Sequence, residues 1–219
     1  TKIVIELLEK NIISISRIDD SVRRILKNKF SLGLFDNPYV EVDLVKDRVN
    51  TDRNIKLGQE AQKKSMVLLK NDSILPLKKN LNIFLDGFKT KDLSYGNVVN
   101  NIESADVIVS YLHTVFNGNQ PSGIDRLVDN VLSTIFPNQD LNFNTEIINK
   151  LDSFAKEKPT IVIVDLNRPA ILNRINEMSS GLLATFGVDE EVIFEILFGY
   201  HAPNGKLPFE IPSSMDEVR

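Results

Sequence analysis

The segment Thr160-Ile-Val-Ile-Val-Asp165 is a run of mostly β-branched residues with no alternation between polar and apolar positions. Such a run is typical of a strand buried on both faces, as in a parallel sheet. A polar turn and a short helical pattern at residues 171–178 separate it from a second apolar run, Gly181-Leu-Leu-Ala-Thr-Phe186. Another helical pattern opens near Asp189 and ends at Gly199. This order predicts two buried strands, each followed by a helix, around which the rest of the chain packs.

Shorter apolar runs upstream predict the other strands, at residues 66–69, 83–85 and 106–112. Between the last two, the polar residues 92–104 are expected to contain a short helix. The proline-marked residues 205–212 are expected to form a final strand. From residue 51 onward the pattern is α/β, and we predict a mostly parallel sheet with helices on both faces, an α/β sandwich.

Two amphipathic helical patterns occupy residues 1–35 and form a short helical segment before the α/β part. Ser16 is predicted to cap the second helix and Gly33 to end it. Residues 36–50 begin Asp-Asn-Pro and show no apolar period, which predicts a linker on the surface. Because two short helices cannot bury their apolar faces alone, they are expected to pack against another part of a protein.

Several motifs in the second half of the chain occur in a specific order. They are Lys158-Pro159-Thr-Ile-Val-Ile-Val, Asn167-Arg168-Pro169, Leu197-Phe198-Gly199 and Pro203-Asn204-Gly205-Lys206-Leu207-Pro208-Phe209. Together they resemble the C-terminal α/β domain of family 3 glycoside hydrolases, which are β-glucosidases, β-xylosidases and their relatives. The ending Pro212-Ser-Ser-Met215 is similar to the β-glucosidase branch.

This resemblance implies a domain organisation and an activity. Residues 1–35 resemble the last helical part of the family's N-terminal (β/α)8 barrel, with a linker at 36–50 and the C-terminal domain at 51–219. The implied reaction of the intact protein is retaining hydrolysis of terminal, non-reducing β-D-glycosidic bonds. Because the family's nucleophile is an aspartate in the barrel, this chain alone is expected to be an inactive fragment.

Ligands of open α/β sheets bind at the carboxyl ends of the strands, which directs attention to three polar loops. His113 and Arg168 are candidate substrate-binding residues there. Alternatively, His113 is a satisfied structural residue, and Arg168 belongs to an ordinary helix start before a proline. Asp189 and Glu190 are candidate catalytic acids, although acids at a helix start are also favoured by the helix dipole alone.

The family's acid/base is often a glutamate on a loop of this domain, and the resemblance places that position at or near Asn117. An asparagine cannot donate the required proton. Either the alignment slips by a few residues, with Asp125 the nearest acid, or another acid serves, or the protein lacks the ordinary acid/base. Asp189 and Glu190 are the next candidates, and Asn117 is retained as a substrate-binding candidate.

Composition excludes several classes of function. The 219 residues carry a net charge of -4, which argues against nucleic acid as a partner, and no apolar run is long enough to span a membrane. There is no cysteine, no dinucleotide- or phosphate-binding glycine motif, no clustered metal-ligand spacing and no Gly-x-Ser-x-Gly elbow, so no cofactor or metal is expected. No signal peptide is visible, which leans the expectation towards the cytoplasm.

Two other classes of function fit the same pattern. One is a non-catalytic carbohydrate-binding or scaffold module that has lost the acid/base, for which Asn117 is the supporting feature. The other is a flavodoxin-like domain that binds a small phosphorylated ligand, and the missing phosphate-binding loop argues against it.

Overall fold

The computed structural model describes residues 2–90, 93–114 and 140–218. The chain divides into two compact units, residues 1–54 and residues 55–219. The first unit contains α1 (Lys2–Glu9), α2 (Ile15–Ser31), a 3-10 turn (Val42–Leu44) and α3 (Val45–Arg48). None of these four elements contains a buried residue.

Details of the first unit correct two sequence predictions. Ser14, and not Ser16, caps α2, because its hydroxyl accepts a hydrogen bond from the Arg17 amide at 3.2 Å. Gly33 follows the helix with φ +67°, as expected for a residue that ends a helix. The predicted linker contains the 3-10 turn and α3, so residues 36–50 are not entirely irregular.

The second unit is built on a six-stranded sheet. In chain order its strands are β1 (Val67–Asn71), β2 (Asn82–Asp86), β3 (Asn97–Val99), β4 (Val107–His113), β5 (Thr160–Asp165) and β6 (Gly181–Thr185). Their spatial order is β1-β6-β5-β4-β2-β3. Only β1 pairs antiparallel, with β6, among the strands described.

Helices cover both faces of this sheet. They are α5 (Thr145–Glu157) and α6 (Asn173–Met178) on one face and α7 (Glu190–Leu197) on the other. Helix α4 (Asp52–Ser65) precedes β1, has no buried residue, and contacts α7 through the Lys63–Glu195 ion pair. The buried side of α7 packs into one apolar cluster, and α5 and α6 contribute to the other. Strand β5 lies between them with all six residues buried, as its unbroken apolar run predicts. The predicted α/β sandwich is confirmed.

Two predicted elements differ from those observed. The described part of residues 92–104 contains β3 and no helix, because Val98 and Val99 extend the sheet by parallel pairing with β2. Residues 205–212 form no strand. Proline has no N–H to donate to a ladder, and this segment instead contacts the body through a hydrogen bond from the Gly205 amide to the Met66 carbonyl at 2.9 Å.

Candidate functional site

Polar residues end four strands at the carboxyl edge of the sheet. These strands, β2, β4, β5 and β6, run parallel and end at Asp86, His113, Asp165 and Thr185. The pairing register places His113 opposite Asp165, and Asp165 opposite Thr185. Three polar side chains therefore lie side by side at the edge where open α/β sheets bind ligands.

Asp165 is the centre of this arrangement, and its side chain is only 6% exposed. Its Oδ1 accepts hydrogen bonds from the Gly187 amide at 2.9 Å and the Thr185 hydroxyl at 3.4 Å. Its Oδ2 lies 2.9 Å from the Asn167 amide nitrogen and 3.3 Å from His113 Nδ1. The buried carboxylate is therefore surrounded by hydrogen-bond donors, as a buried charge requires.

Sequence reasoning missed Asp165, although the sequence carries a signal for it. The residue ends a strand whose other five members are Thr, Ile and Val. An acid at the end of such a strand is placed at the ligand-binding edge by the topology alone. Asp86 carries the same signal at the end of β2.

His113 is exposed, although its ring is held on two sides. Its side chain is 61% exposed, while its ring centroid lies 4.6 Å from that of Tyr111. Burial raises the pKa of Tyr111 above its ordinary value of 10.0, and the negative charges of Asp165 and Glu190 raise it further, against the effect of a hydrogen bond with Thr185. The neutral Tyr111 ring thus supports the imidazole that the sequence predicted as a site residue.

Arg168 is half-buried in the loop that follows β5. Its Nη2 donates a hydrogen bond of 2.6 Å to the carbonyl oxygen of Asp140. Together with Thr114 and Pro169, these residues line a small hollow at the same edge of the sheet. Arg168 thus connects the segment before α5 to the loop after β5, and it lies close to the chain that leaves β4.

Asp189 and Glu190 both bind other parts of the protein. Asp189 exchanges two hydrogen bonds with the Gln62 side chain, at 2.9 and 3.0 Å. The Glu190 carboxylate accepts from the amides of Lys89 and Thr90, both at 2.9 Å. The first pair connects α4 to the start of α7, and the second fixes the loop after β2. Both acids lie at the carboxyl edge, and a catalytic role for either stays a prediction.

Asn117 and Asp125 lie outside the described residues, so their predicted roles carry no geometry. The other four candidates, His113, Arg168, Asp189 and Glu190, are placed by the structure, and all four are at the carboxyl edge.

A second polar group lies at this edge on the opposite face of the sheet. Asp86 accepts a hydrogen bond of 2.7 Å from the Ser110 hydroxyl and pairs with Lys150 of α5 at 2.8 Å. The pleat directs these side chains to the face covered by α5, whereas Tyr111 belongs to the apolar cluster on the other face. This group and the Asp165 group are therefore separate.

Neither a metal site nor a membrane span is found in the part of the chain that the structure describes. No three acidic or histidine side chains there come together as metal ligands. No helix among those residues has the length and apolar character needed to cross a bilayer.

Known proteins resemble this chain in sequence and in fold. Residues 66–219 match the family model described as Glycosyl hydrolase family 3 C-terminal domain. The "Probable beta-glucosidase C" of Aspergillus oryzae is 34% identical over 99% of this chain and 34% of its own length. The "Periplasmic beta-glucosidase/beta-xylosidase" of Dickeya chrysanthemi is 32% identical over 99% of this chain and 33% of its own length.

Among solved structures, the β-glucosidase from Listeria innocua in complex with glucose has a similar fold. The TM-score is 0.67 at 22% identity, covering 98% of this chain and 34% of that one. The chain thus spans about a third of the length of the curated relatives it matches.

Proposed function

The chain belongs to glycosyl hydrolase family 3, with that family's C-terminal domain at residues 66–219, and from this premise we propose that it is part of a retaining β-glucosidase. The intact protein hydrolyses terminal, non-reducing β-D-glycosidic bonds. One observation carries the proposal: curated relatives with β-glucosidase in their names, among them the Aspergillus oryzae and Dickeya chrysanthemi proteins, align with 99% of this chain, including residues upstream of the domain that the family model matches.

In this proposal the C-terminal domain contributes substrate contacts from the carboxyl edge of its sheet. His113 is exposed there, and Arg168 lies in the next loop, so both can reach a sugar bound against that edge. A retaining glycosidase needs two carboxyl groups about 5–5.5 Å apart. The nucleophile comes from an aspartate of a barrel that precedes this chain.

The acid/base of the proposed reaction is sought among the described acids of this domain. Asp189 and Glu190 are the candidates at the carboxyl edge, and each must release its present partners before it can donate a proton to a substrate. A Glu190→Gln variant, made in this chain together with its natural upstream sequence, distinguishes a catalytic role of Glu190 from a structural one. Loss of turnover by several orders of magnitude supports catalysis, whereas a small change supports the structural role alone.

The proposed domain organisation assigns residues 1–35 to the end of that barrel, 36–50 to the linker and 51–219 to the C-terminal domain. The exposure of large apolar side chains supports it. Ile3, Ile25 and Phe30 are 71%, 58% and 64% exposed. Apolar helix faces of this kind are stable in water only when another part of a protein covers them.

The test compares the 219-residue chain with the same chain preceded by its natural upstream sequence. Both are assayed on an aryl β-glucoside, and proton NMR follows the anomer of glucose released first. We expect turnover with β-glucose as the first product from the longer polypeptide and none from the chain alone. Turnover by the chain alone, or α-glucose as the first product, would show that the proposed division of the active site or the retaining mechanism is wrong.

A non-catalytic carbohydrate-binding module is the second candidate. The observation in its favour is that Asp165, Asp189 and Glu190 all have hydrogen-bond partners within the protein. If the longer polypeptide shows no turnover but its melting temperature rises with glucose or cellobiose, this candidate replaces the first.

A further inference from the structure

We propose that Asp165 is a positioning residue that holds the neutral imidazole of His113 in the tautomer with its hydrogen on Nδ1. The opposite nitrogen, Nε2, is then a hydrogen-bond acceptor at the carboxyl edge of the sheet and takes a hydroxyl group of the ligand. The ligand part of this inference rests on the proposed function, whereas the tautomer does not.

The hydrogen-bond partners of Asp165 support its use as an acceptor. The Gly187 amide can only donate, and the Asn167 amide nitrogen can only donate. The Thr185 hydroxyl can donate to the same carboxylate. With every other contact supplied by a donor, the imidazole nitrogen that faces Oδ2 at 3.3 Å carries its hydrogen as well.

Burial keeps Asp165 in this orientation. Its side chain is 6% exposed, and contacts to both carboxylate oxygens oppose rotation of the group. The backbone adds a further restraint, because the amide and hydroxyl of Thr114, the residue after His113, donate to the Asp165 carbonyl, both at 3.2 Å. The strand end that carries His113 is therefore fastened to the strand end that carries Asp165.

The remaining ring nitrogen is available to a ligand. The His113 side chain is 61% exposed, and its Nε2 makes no hydrogen bond to another residue that the structure describes. The Tyr111 ring beneath it limits how the imidazole can turn. A neutral acceptor above a buried carboxylate favours a hydroxyl donor over an anionic group. The site therefore suits an uncharged polyhydroxyl ligand such as a sugar.

The sequence provides an internal control for the test, because it contains only two histidines. His201 faces Glu195 with its other nitrogen, Nε2, at 3.5 Å. Long-range ¹H–¹⁵N spectra of the labelled chain at about pH 8.5, where imidazoles are generally neutral, distinguish the two tautomers. A His201→Gln variant assigns the signals.

We expect His113 to carry its hydrogen on Nδ1, whereas His201, whose 3.5 Å contact with Glu195 is not a hydrogen bond, should show the tautomer mixture of free histidine. The tautomers are measured on the unmodified chain, and the His201→Gln variant serves only to assign the two signals. A His113 with its hydrogen on Nε2, or with a mixture like that of free histidine, would overturn the proposal.

Two variants then test whether Asp165 is the residue that determines the His113 tautomer. Asp165→Asn is expected to shift His113 towards the Nε2–H form, because the new amide can donate to Nδ1. Asn167→Ala removes a neighbouring donor from the same carboxylate oxygen and is expected to leave the tautomer unchanged. An unchanged tautomer in a folded Asp165→Asn variant would remove the positioning role.

The chain with its natural upstream sequence is used to test whether His113 Nε2 accepts a hydrogen bond from a ligand hydroxyl. Asp165→Asn is expected to raise KM for an aryl β-glucoside about tenfold and to lower kcat less, as the loss of one oriented hydrogen bond requires. An unchanged KM would overturn the ligand role of His113. Absence of turnover in the unmodified polypeptide would instead count against the proposed function, and the tautomer result would stand separately.

Discussion

Gly87 is a residue at which backbone conformation and packing both exclude a side chain. It follows β2 with φ +81°, and a Cβ at this position would overlap the Tyr111 carbonyl oxygen of the neighbouring strand. This close approach lets the chain turn away at the carboxyl edge directly beside Tyr111, which supports the His113 ring.

We predict that Gly87→Ala lowers the free energy of unfolding by about 2–4 kcal/mol, from left-handed backbone strain and from overlap with the strand. Gly187→Ala is the matched control, since Gly187 has φ +73° but no atom within 4 Å of a new Cβ. The control is expected to lose about 1 kcal/mol. Guanidinium denaturation measures the loss of stability in both variants. Equal losses would show that overlap of the new Cβ with the Tyr111 carbonyl oxygen does not contribute.

At this scale the sequence predicts part of the candidate site. His113 and Arg168 are predictable because they lie at or just after the ends of buried strands, and both lie at the carboxyl edge. The role of Asp165 is not predictable in the same way. Its partners Gly187 and Thr185 are about twenty residues further along the chain, and only the strand register brings them together. The partners of Glu190 are about a hundred residues away.

At the scale of elements, the start of α7 determines the shape of the loop after β2. Glu190 accepts hydrogen bonds from two consecutive amides of that loop, Lys89 and Thr90. Glu191 occupies the next position of the same helix start and is exposed. Both acids interact favourably with the helix dipole, but only Glu190 has these two backbone donors among the contacts described.

We predict that Glu190→Gln lowers the free energy of unfolding by about 1–3 kcal/mol, because the side-chain amide leaves one backbone donor with no acceptor and the other with an uncharged one. Glu191→Gln removes only a dipole interaction worth about 0.3–1 kcal/mol. Denaturation measures the difference. Amide hydrogen exchange should also become faster at Lys89 and Thr90 in the first variant alone. Similar exchange in both variants would mean that Glu190 does not hold the loop.

The elements predicted correctly are those whose residues determine them locally or by burial. Strand β5 is an unbroken apolar run, and the Asn144 side chain caps α5 by accepting from the Ile147 amide at 2.8 Å. Strand β3 has three residues and exists through its pairing with β2, so its sequence alone carries little signal. The strand predicted at residues 205–212 does not form, and the prolines there have no N–H to donate to a ladder.

At the scale of the whole molecule, burial is distributed unevenly between the two units. In the second unit, β5 and β6 are buried along their entire length, and β4 is buried except at His113. In the first unit, α1 and α2 have no buried residue. Local stability follows burial and protected backbone hydrogen bonds, so the two units should open with very different free energies.

We therefore predict that amides of β4–β6 exchange at least roughly a thousandfold more slowly than those of α1 and α2 in the 219-residue chain. In the longer polypeptide, α1 and α2 should become protected, since the proposed barrel covers apolar side chains such as Ile25 and Phe30. Helix α5 is the control, because it already buries Leu151 and Phe154 and should change little. Mass spectrometry after hydrogen exchange measures the protection of β4–β6, of α1 and α2, and of α5 in both polypeptides. If α1 and α2 are already as protected as α5 in the 219-residue chain, they need no barrel and the proposed domain organisation is wrong.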